Sequence, residues 1–144
     1  MKACFMGLGY IGLPTAIIAA KHGVDVIGVD INPNVVEMTN EGKLHIVEPG
    51  LESFLQDVIH TKKLKAQGEP ELSDAYFIVV PTPFKGNHEP DISYVETATH
   101  SVIPYLKEND LFIIESTSPV GTTEMMAKII YEERPELKDR IYIA

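Results

Sequence analysis

The sequence predicts an α/β fold: a doubly wound parallel sheet of about six strands in the order 3-2-1-4-5-6, with helices on both faces. Three observations carry this. Short apolar runs alternate with amphipathic helical patterns along the whole chain, as strands covered on both faces require. Gly7, Gly9 and Gly12 stand where the first apolar run gives way to a helix. An acid, Asp30, closes the second run. A strand, a glycine turn, a helix and a second strand ending in a carboxylate form the Rossmann-type arrangement that holds a dinucleotide at a helix N-terminus.

The first strand spans about Lys2 to Leu8, and a helix follows from about Tyr10 to His22. Pro14 fits its opening turn, where N–H groups lack intrahelical partners, and Gly23 fits its stop. The second strand runs from Asp25 to Asp30; Asn32 and Pro33 then read as N-cap and first residue of a short helix that Gly42 closes. Past the loop HIVEPG, residues Leu51, Phe54, Leu55, Val58 and Ile59 recur at helical spacing as one apolar stripe. A short third strand is expected near Leu64 to Ala66, and AYFIVV, Ala75 to Val80, is continuously apolar like a central strand. Ser93 and Glu96 have the spacing of a capping box and open a helix carrying Val95, Ala98, Val102 and Leu106. LFIIES, Leu111 to Ser116, is the fifth strand; a helix runs from about Thr122 to Glu133, and IYIA, Ile141 to Ala144, is the sixth.

The 144 residues suffice for one domain with a full core, so residues 1–144 are assigned to a single nucleotide-binding unit. A net charge of −9 opposes nucleic acid and anionic membrane surfaces as partners. A nucleotide is exempt from that argument, because local N–H groups hold it rather than the overall field. Cys4 is the only cysteine and lies in the first strand, which excludes a disulfide framework or zinc cluster and suits a small buried hydrophobe. No run reaches the roughly 18 apolar residues of a membrane span, and the N-terminus begins on a core strand, so a cytoplasmic protein is expected. A chain that stops on a core strand also reads as a domain cut from something longer.

Each residue of the glycine turn has a physical task. Gly7 allows the tight turn, Gly9 removes the Cβ that would block a diphosphate, and Gly12 lets the helix pack closely. Asp30 can accept hydrogen bonds from the adenosine ribose, and its charge opposes a 2′-phosphate. Ile31, Asn32 and Pro33 supply no arginine to offset that, so the expected cofactor is NAD. Ligands in such sheets lie outside the carboxyl ends of the strands, which puts Pro81, Thr82 and Pro83, and Ser116 to Pro119, on the groove. The two prolines leave the Thr82 N–H and hydroxyl as the polar groups on offer, although by themselves they read first as a proline-stopped strand exit. Thr117 can hold a water, a ribose or a substrate oxygen, or be a solvated loop residue. His45, Glu48 and His88 read as loop polars without metal-site spacing; His22 sits at a helix C-terminus, and His60 and His100 are expected to face solvent. Glu132, Glu133 and Glu136 read as ordinary charged surface.

Six blocks in order, GLGYIGLPTA from Gly7, VDIN from Val29, HIVEPGL from His45, VPTPF from Val80, HEPDISYVE from His88 and ESTSPVGTTE from Glu115, resemble the nucleotide-sugar 6-dehydrogenases, the UDP-glucose/GDP-mannose dehydrogenase family. The resemblance implies oxidation of the C6 alcohol of a UDP-sugar to a carboxylate in two steps with two NAD⁺, serving surface polysaccharide synthesis in a homodimeric whole enzyme. It implies that Tyr10 and Ile11 line the diphosphate, Asp30 holds the adenosine ribose, and Pro81, Thr82 and Thr117 meet the far half of the cofactor. Thr117 matches the strand-end threonine that helps position a catalytic water in the family. The family's nucleophilic cysteine, its catalytic lysine and asparagine, and the glutamate after the sixth strand fall beyond Ala144. Cys4 cannot form the covalent thiohemiacetal from beneath the sheet, so this chain is expected to bind NAD without turnover.

Two rival readings share the glycine turn and Asp30. A self-contained NAD-binding regulatory domain, like those that gate potassium transport, has the right size and acidity but no use for VPTPF and ESTSPVGTTE. The cofactor domain of a β-hydroxyacid dehydrogenase shares the fold but should lack HIVEPGL.

Overall fold

The computed structural model describes residues 1–144, the side chain of Asn87 apart. Among the described residues six strands, β1 (Lys2–Met6), β2 (Asp25–Val29), β3 (Leu64–Gln67), β4 (Ala75–Ile78), β5 (Leu111–Ile114) and β6 (Tyr142–Ile143), form one sheet. Its order is β3-β2-β1-β4-β5-β6 and every pairing is parallel, the doubly wound topology expected. Five α-helices link them: α1 (Gly12–Lys21), α2 (Pro33–Asn40), α3 (Leu51–His60), α4 (Ser93–Val102) and α5 (Thr122–Glu133). None is long and apolar enough to cross a membrane.

Side-chain alternation along the strands divides the apolar residues into two cores. Ala3 and Phe5 of β1 join Leu13, Ile17, Leu51, Leu55 and Val58 of α1 and α3 on one face. Cys4 and Met6 join Val95, Val102, Met126 and Ile130 of α4 and α5 on the other. Phe5 stacks on Phe77 of β4 with ring centroids 4.5 Å apart, tying the two central strands together on the α1 face. Each fully buried side chain of this size removes enough apolar surface from water to contribute about 1.5–3 kcal/mol. Cys4 is the small buried hydrophobe expected, and burial pushes its thiol up to about 12, far from any reactive thiolate.

Local chemistry accounts for the helix boundaries. Asn32 caps α2 as expected, its side chain accepting the Asn34 N–H at 3.0 Å with Pro33 in the first turn. At the other end of α2 the Asn40 side chain pairs with both the N–H and the C=O of Ala66, each at 2.8 Å, and so satisfies part of the free edge of β3. In α3 the apolar stripe is narrower than its spacing suggests. Leu51, Leu55 and Val58 are buried, but Phe54 lies at the surface beneath the Lys21 ammonium, 3.3 Å from its ring centroid. Helix α4 stops at Val102 because Pro104 has no N–H to continue the ladder; Leu106 is buried just beyond the short 3₁₀ turn Ile103–Tyr105.

Two further expectations need correcting. The strands end earlier than the apolar runs do: β1 at Met6, β2 at Val29, β4 at Ile78 and β5 at Ile114. The residues beyond still donate one ladder bond each at most (Gly7 N–H to Val29 O, Val79 N–H to Met6 O) before the chain turns away. The Ser93 and Glu96 pair does not form the capping box, since Ser93 already lies inside the helix. Asp91 takes the capping role instead, accepting the Ser93 N–H at 3.0 Å and pairing with Lys85 at 3.0 Å.

Hydrogen bonds from the Ser93 hydroxyl and N–H, followed by the Lys85 ammonium, lower the Asp91 carboxyl to about 2. A carboxyl depressed on folding lends stability that is complete above its unfolded value of about 3.9 and fades as pH falls toward 2. The stability difference between the native chain and Asp91→Asn, followed by urea unfolding from pH 6 down to pH 2, is therefore expected to stay constant above about pH 5 and shrink below pH 4. A difference independent of pH in that window contradicts the assignment.

Candidate functional site

The chain turns from β1 into α1 under severe steric restriction. Gly7 has φ +106°, and a Cβ there would lie 2.4 Å from the Val79 carbonyl oxygen. A Cβ on Gly12 would lie 2.0 Å from the Gly7 carbonyl oxygen and 3.4 Å from the Val79 Cβ, so the first turn of α1 rests directly on the β1–β4 pair. Gly9 differs from both: a Cβ there would meet nothing within 4 Å, because the residue faces open space at the crevice.

Helix α1 begins without a side-chain cap, and its first outer bonds are Leu13 N–H to Gly9 O and Thr15 N–H to Ile11 O. Among the described residues nothing accepts the N–H groups of Tyr10, Ile11 and Gly12. Unmet donors add to the positive end of the helix dipole, which makes this mouth an anion site by construction. The Tyr10 and Ile11 side chains are exposed beside it.

Asp30, the next residue after β2, is half-buried and fastened at both oxygens. Oδ2 accepts the Leu8 N–H at 3.0 Å and Oδ1 the Asn32 N–H at 2.9 Å. Each oxygen keeps a second lone pair for a hydroxyl donor. A hollow of about 430 Å³, lined by Asp30, Ile31, Pro33, Val36, Glu37 and Gly68, opens outside it.

On the other side of the crevice the exits of β4 and β5 are cross-linked. The Thr82 hydroxyl donates to the Thr117 carbonyl oxygen at 2.5 Å, and the Ser116 hydroxyl donates to the Val80 oxygen at 2.8 Å. Thr82 is therefore not the free donor its flanking prolines suggest; its proton is committed to the neighbouring strand exit, leaving its lone pairs. Thr117 is exposed at the start of the loop leading to α5, and Pro81 is exposed beside Thr82. Ser116 lies at the groove as expected; sequence reasoning missed the Leu8 N–H and Glu115. Glu115 directly follows β5 and is exposed, with Oε1 3.5 Å from the Thr15 hydroxyl of α1. The acid that ends LFIIE, by analogy with the acid that ends the second apolar run, was the signal available.

The histidines lie apart from this cluster or at its margins. His22 contacts the Ile18 carbonyl through Nδ1 at 2.8 Å at the end of α1, and His60 is exposed at the end of α3. His100 is exposed as expected, and it also pairs with Glu133 at 2.6 Å and links α4 to α5. Of the two other acids read as plain surface, Glu132 pairs with Lys128 at 3.7 Å and Glu136 with Arg134 at 2.5 Å. His88 occupies a left-handed conformation, φ +62°, in a turn closed by the Phe84–Pro90 bridge. His45 keeps its Nδ1 buried without a partner among the described residues, while Glu48 is exposed.

Comparison with known proteins gives the family. Residues 1–144 match the UDP-glucose/GDP-mannose dehydrogenase family, NAD binding domain. The chain is 56% identical over 137 residues to a UDP-N-acetyl-D-mannosamine dehydrogenase of Campylobacter jejuni, covering 94% of this chain and 34% of that protein. It is 48% identical over 132 residues to an NDP-N-acetyl-D-galactosaminuronic acid dehydrogenase of Ralstonia nicotianae, covering 92% and 31%. The solved structure of the UDP-N-acetyl-mannosamine dehydrogenase of Staphylococcus aureus superposes with a TM-score of 0.90 at 42% identity, over 94% of this chain and 33% of that one. The chain thus spans about a third of the length of the curated relatives it matches.

The three glycines are expected to separate stability from binding. Gly7→Ala and Gly12→Ala should each cost about 2–4 kcal/mol in urea unfolding, because backbone and not side chain must yield. Gly9→Ala should stay within about 0.5 kcal/mol of the native chain. Comparable losses at all three positions contradict the assignment.

Proposed function

The chain belongs to the UDP-glucose/GDP-mannose dehydrogenase family as an NAD-binding domain, and from this we propose that the whole protein oxidises the C6 alcohol of UDP-N-acetyl-D-mannosamine to the carboxylate in two NAD⁺-dependent steps. The observation that carries the site assignment is the trio of unmet N–H groups at the α1 mouth beside a doubly anchored Asp30. The residues fit the cofactor. The space a Cβ on Gly9 would fill is open, and diphosphate oxygens there meet the N–H groups of Tyr10, Ile11 and Gly12.

Asp30 takes the hydroxyls of the adenosine ribose. Its anchoring by the Leu8 and Asn32 N–H groups keeps the carboxylate aimed, and its charge rejects a 2′-phosphate. The hollow between Asp30 and Gly68 receives the adenine. Bound NAD⁺ supplies the hydride acceptor for both steps. Pro81 and Thr82 shape the floor beneath the far half of the cofactor, and the Thr82 hydrogen bond to the Thr117 carbonyl holds the strand exit from which Thr117 presents its hydroxyl to a water. Thr117 thereby orients water at the reacting end. Sequence likeness to UDP-N-acetyl-D-mannosamine dehydrogenases supports the sugar assignment. The whole protein acts in the cytoplasm as a homodimer, and this chain by itself binds NAD without turnover, its buried Cys4 being unable to attack an aldehyde.

Calorimetry tests the cofactor site. The chain should bind NAD⁺ in preference to NADP⁺, and Asp30→Ala should weaken NAD⁺ about tenfold while narrowing the preference. Equal affinity of the native chain for both dinucleotides overturns the assignment of Asp30. For the sugar, the whole protein should form NADH faster with UDP-N-acetyl-D-mannosamine than with UDP-N-acetylglucosamine or UDP-glucose; the reverse order reassigns the substrate.

A further inference from the structure

We propose that Glu115 is a second ribose-binding carboxylate, accepting hydrogen bonds from the hydroxyls of the ribose on the far side of the diphosphate; the proposal rests on the dinucleotide site described above. Strand register carries the argument. Val29, Met6, Ile78 and Ile114 form one row across β2, β1, β4 and β5. One residue further on stand Asp30, Gly7, Val79 and Glu115, the last row before the crevice. Side-chain alternation puts all four on the α1 face, the face that carries Phe5 and Phe77. The first turn of α1 rests on the two inner members, Gly7 and Val79, as the contacts of a Cβ on Gly12 show. The two outer members are both acids. They are separated by three strand spacings, about 14 Å, with the anion-binding mouth between them.

Both acids reach inward, Asp30 to the turn that precedes α1 and Glu115 to α1 itself. Asp30 accepts the Leu8 N–H, and Glu115 comes within 3.5 Å of the Thr15 hydroxyl. That hydroxyl is already donating to the Ile11 carbonyl oxygen at 2.8 Å, so Glu115 receives little from it. Among the described residues no cation pairs with Glu115, unlike the surface acids Glu71, Glu132 and Glu136. An exposed carboxylate with its acceptor capacity unspent, level with Asp30 and on the opposite flank of a diphosphate site, matches a ligand with a diol on each side of its diphosphate. A lone charge beside the diphosphate without such a diol would only repel it.

The test compares NAD⁺, ADP-ribose and ADP as calorimetric titrants of the native chain, Glu115→Ala, Glu115→Gln and Asp30→Ala, with far-ultraviolet circular dichroism confirming that each variant is folded. Glu115→Ala should weaken NAD⁺ and ADP-ribose about five- to tenfold and leave ADP within about twofold, because ADP lacks the second ribose. Glu115→Gln, which keeps one acceptor oxygen, should lose about threefold. Asp30→Ala should weaken all three. The proposal is overturned if Glu115→Ala weakens ADP as much as NAD⁺, leaves ADP-ribose unchanged, or tightens NAD⁺. If the native chain binds neither ADP nor NAD⁺, the dinucleotide site itself is wrong and the role of Glu115 falls with it; normal ADP binding with an unaffected Glu115→Ala variant removes this proposal alone.

Discussion

The close approach of α1 to the β1–β4 pair is the constraint on which the rest depends. No side chain fits between Gly7, Gly12 and Val79, so backbone packs on backbone and the helix starts over the centre of the sheet. The same tightness keeps the opening N–H groups pointing outward, away from any carbonyl able to receive them. Binding capacity at the mouth is therefore a by-product of packing: donors that folding leaves unpaired are stable only while water or an anion meets them.

The sheet distributes polar groups unequally between its two ends. At the amino ends of the strands every contact is internal. Asp74 accepts the Lys2 N–H at 2.8 Å, Lys2 pairs with Glu71, and the nearly buried Asp110 is met by the Lys107 ammonium and N–H. Tyr76 accepts the Ser73 N–H at 2.9 Å and donates to the Tyr105 carbonyl at 3.0 Å; burial pushes its phenol up to about 12. That end closes the domain. At the carboxyl ends the strand exits splay, and short side-chain bonds such as Thr82 to Thr117 and Ser116 to Val80 hold the loops without closing the space between them. Apolar Tyr10, Ile11, Ile31, Val47, Phe84 and Val120 remain exposed on these exits and on the loop before α3. A ligand-facing surface thus stands on a rigid base, the division of labour that precise binding requires.

Charge follows the same plan. The chain is acidic overall, yet the anion site is built from backbone donors and the local helix dipole, which act over a few ångströms and escape the mean field. Asp30 adds negative charge beside that site without spoiling it, because two N–H groups already hold its oxygens.

Element type and order were legible from residue pattern alone, since apolar runs, helical spacing and glycine punctuation are properties of adjacent residues. The glycine turn and Asp30 could be read for the same reason: their spacing along the chain encodes the turn. The ends of β1, β2, β4 and β5, the capping of α4 by Asp91 rather than Ser93, and the surface position of Phe54 under Lys21 could not, because each depends on which side chain arrives from elsewhere. The commitment of the Thr82 proton to Thr117, 35 residues away, and the alignment of Glu115 with Asp30 on one face were decided by strand register, which pairs residues remote in the chain. Local order determined what this protein is made of and which turn leaves its N–H groups unpaired; only packing determined which hydroxyls and carboxylates remain free beside it.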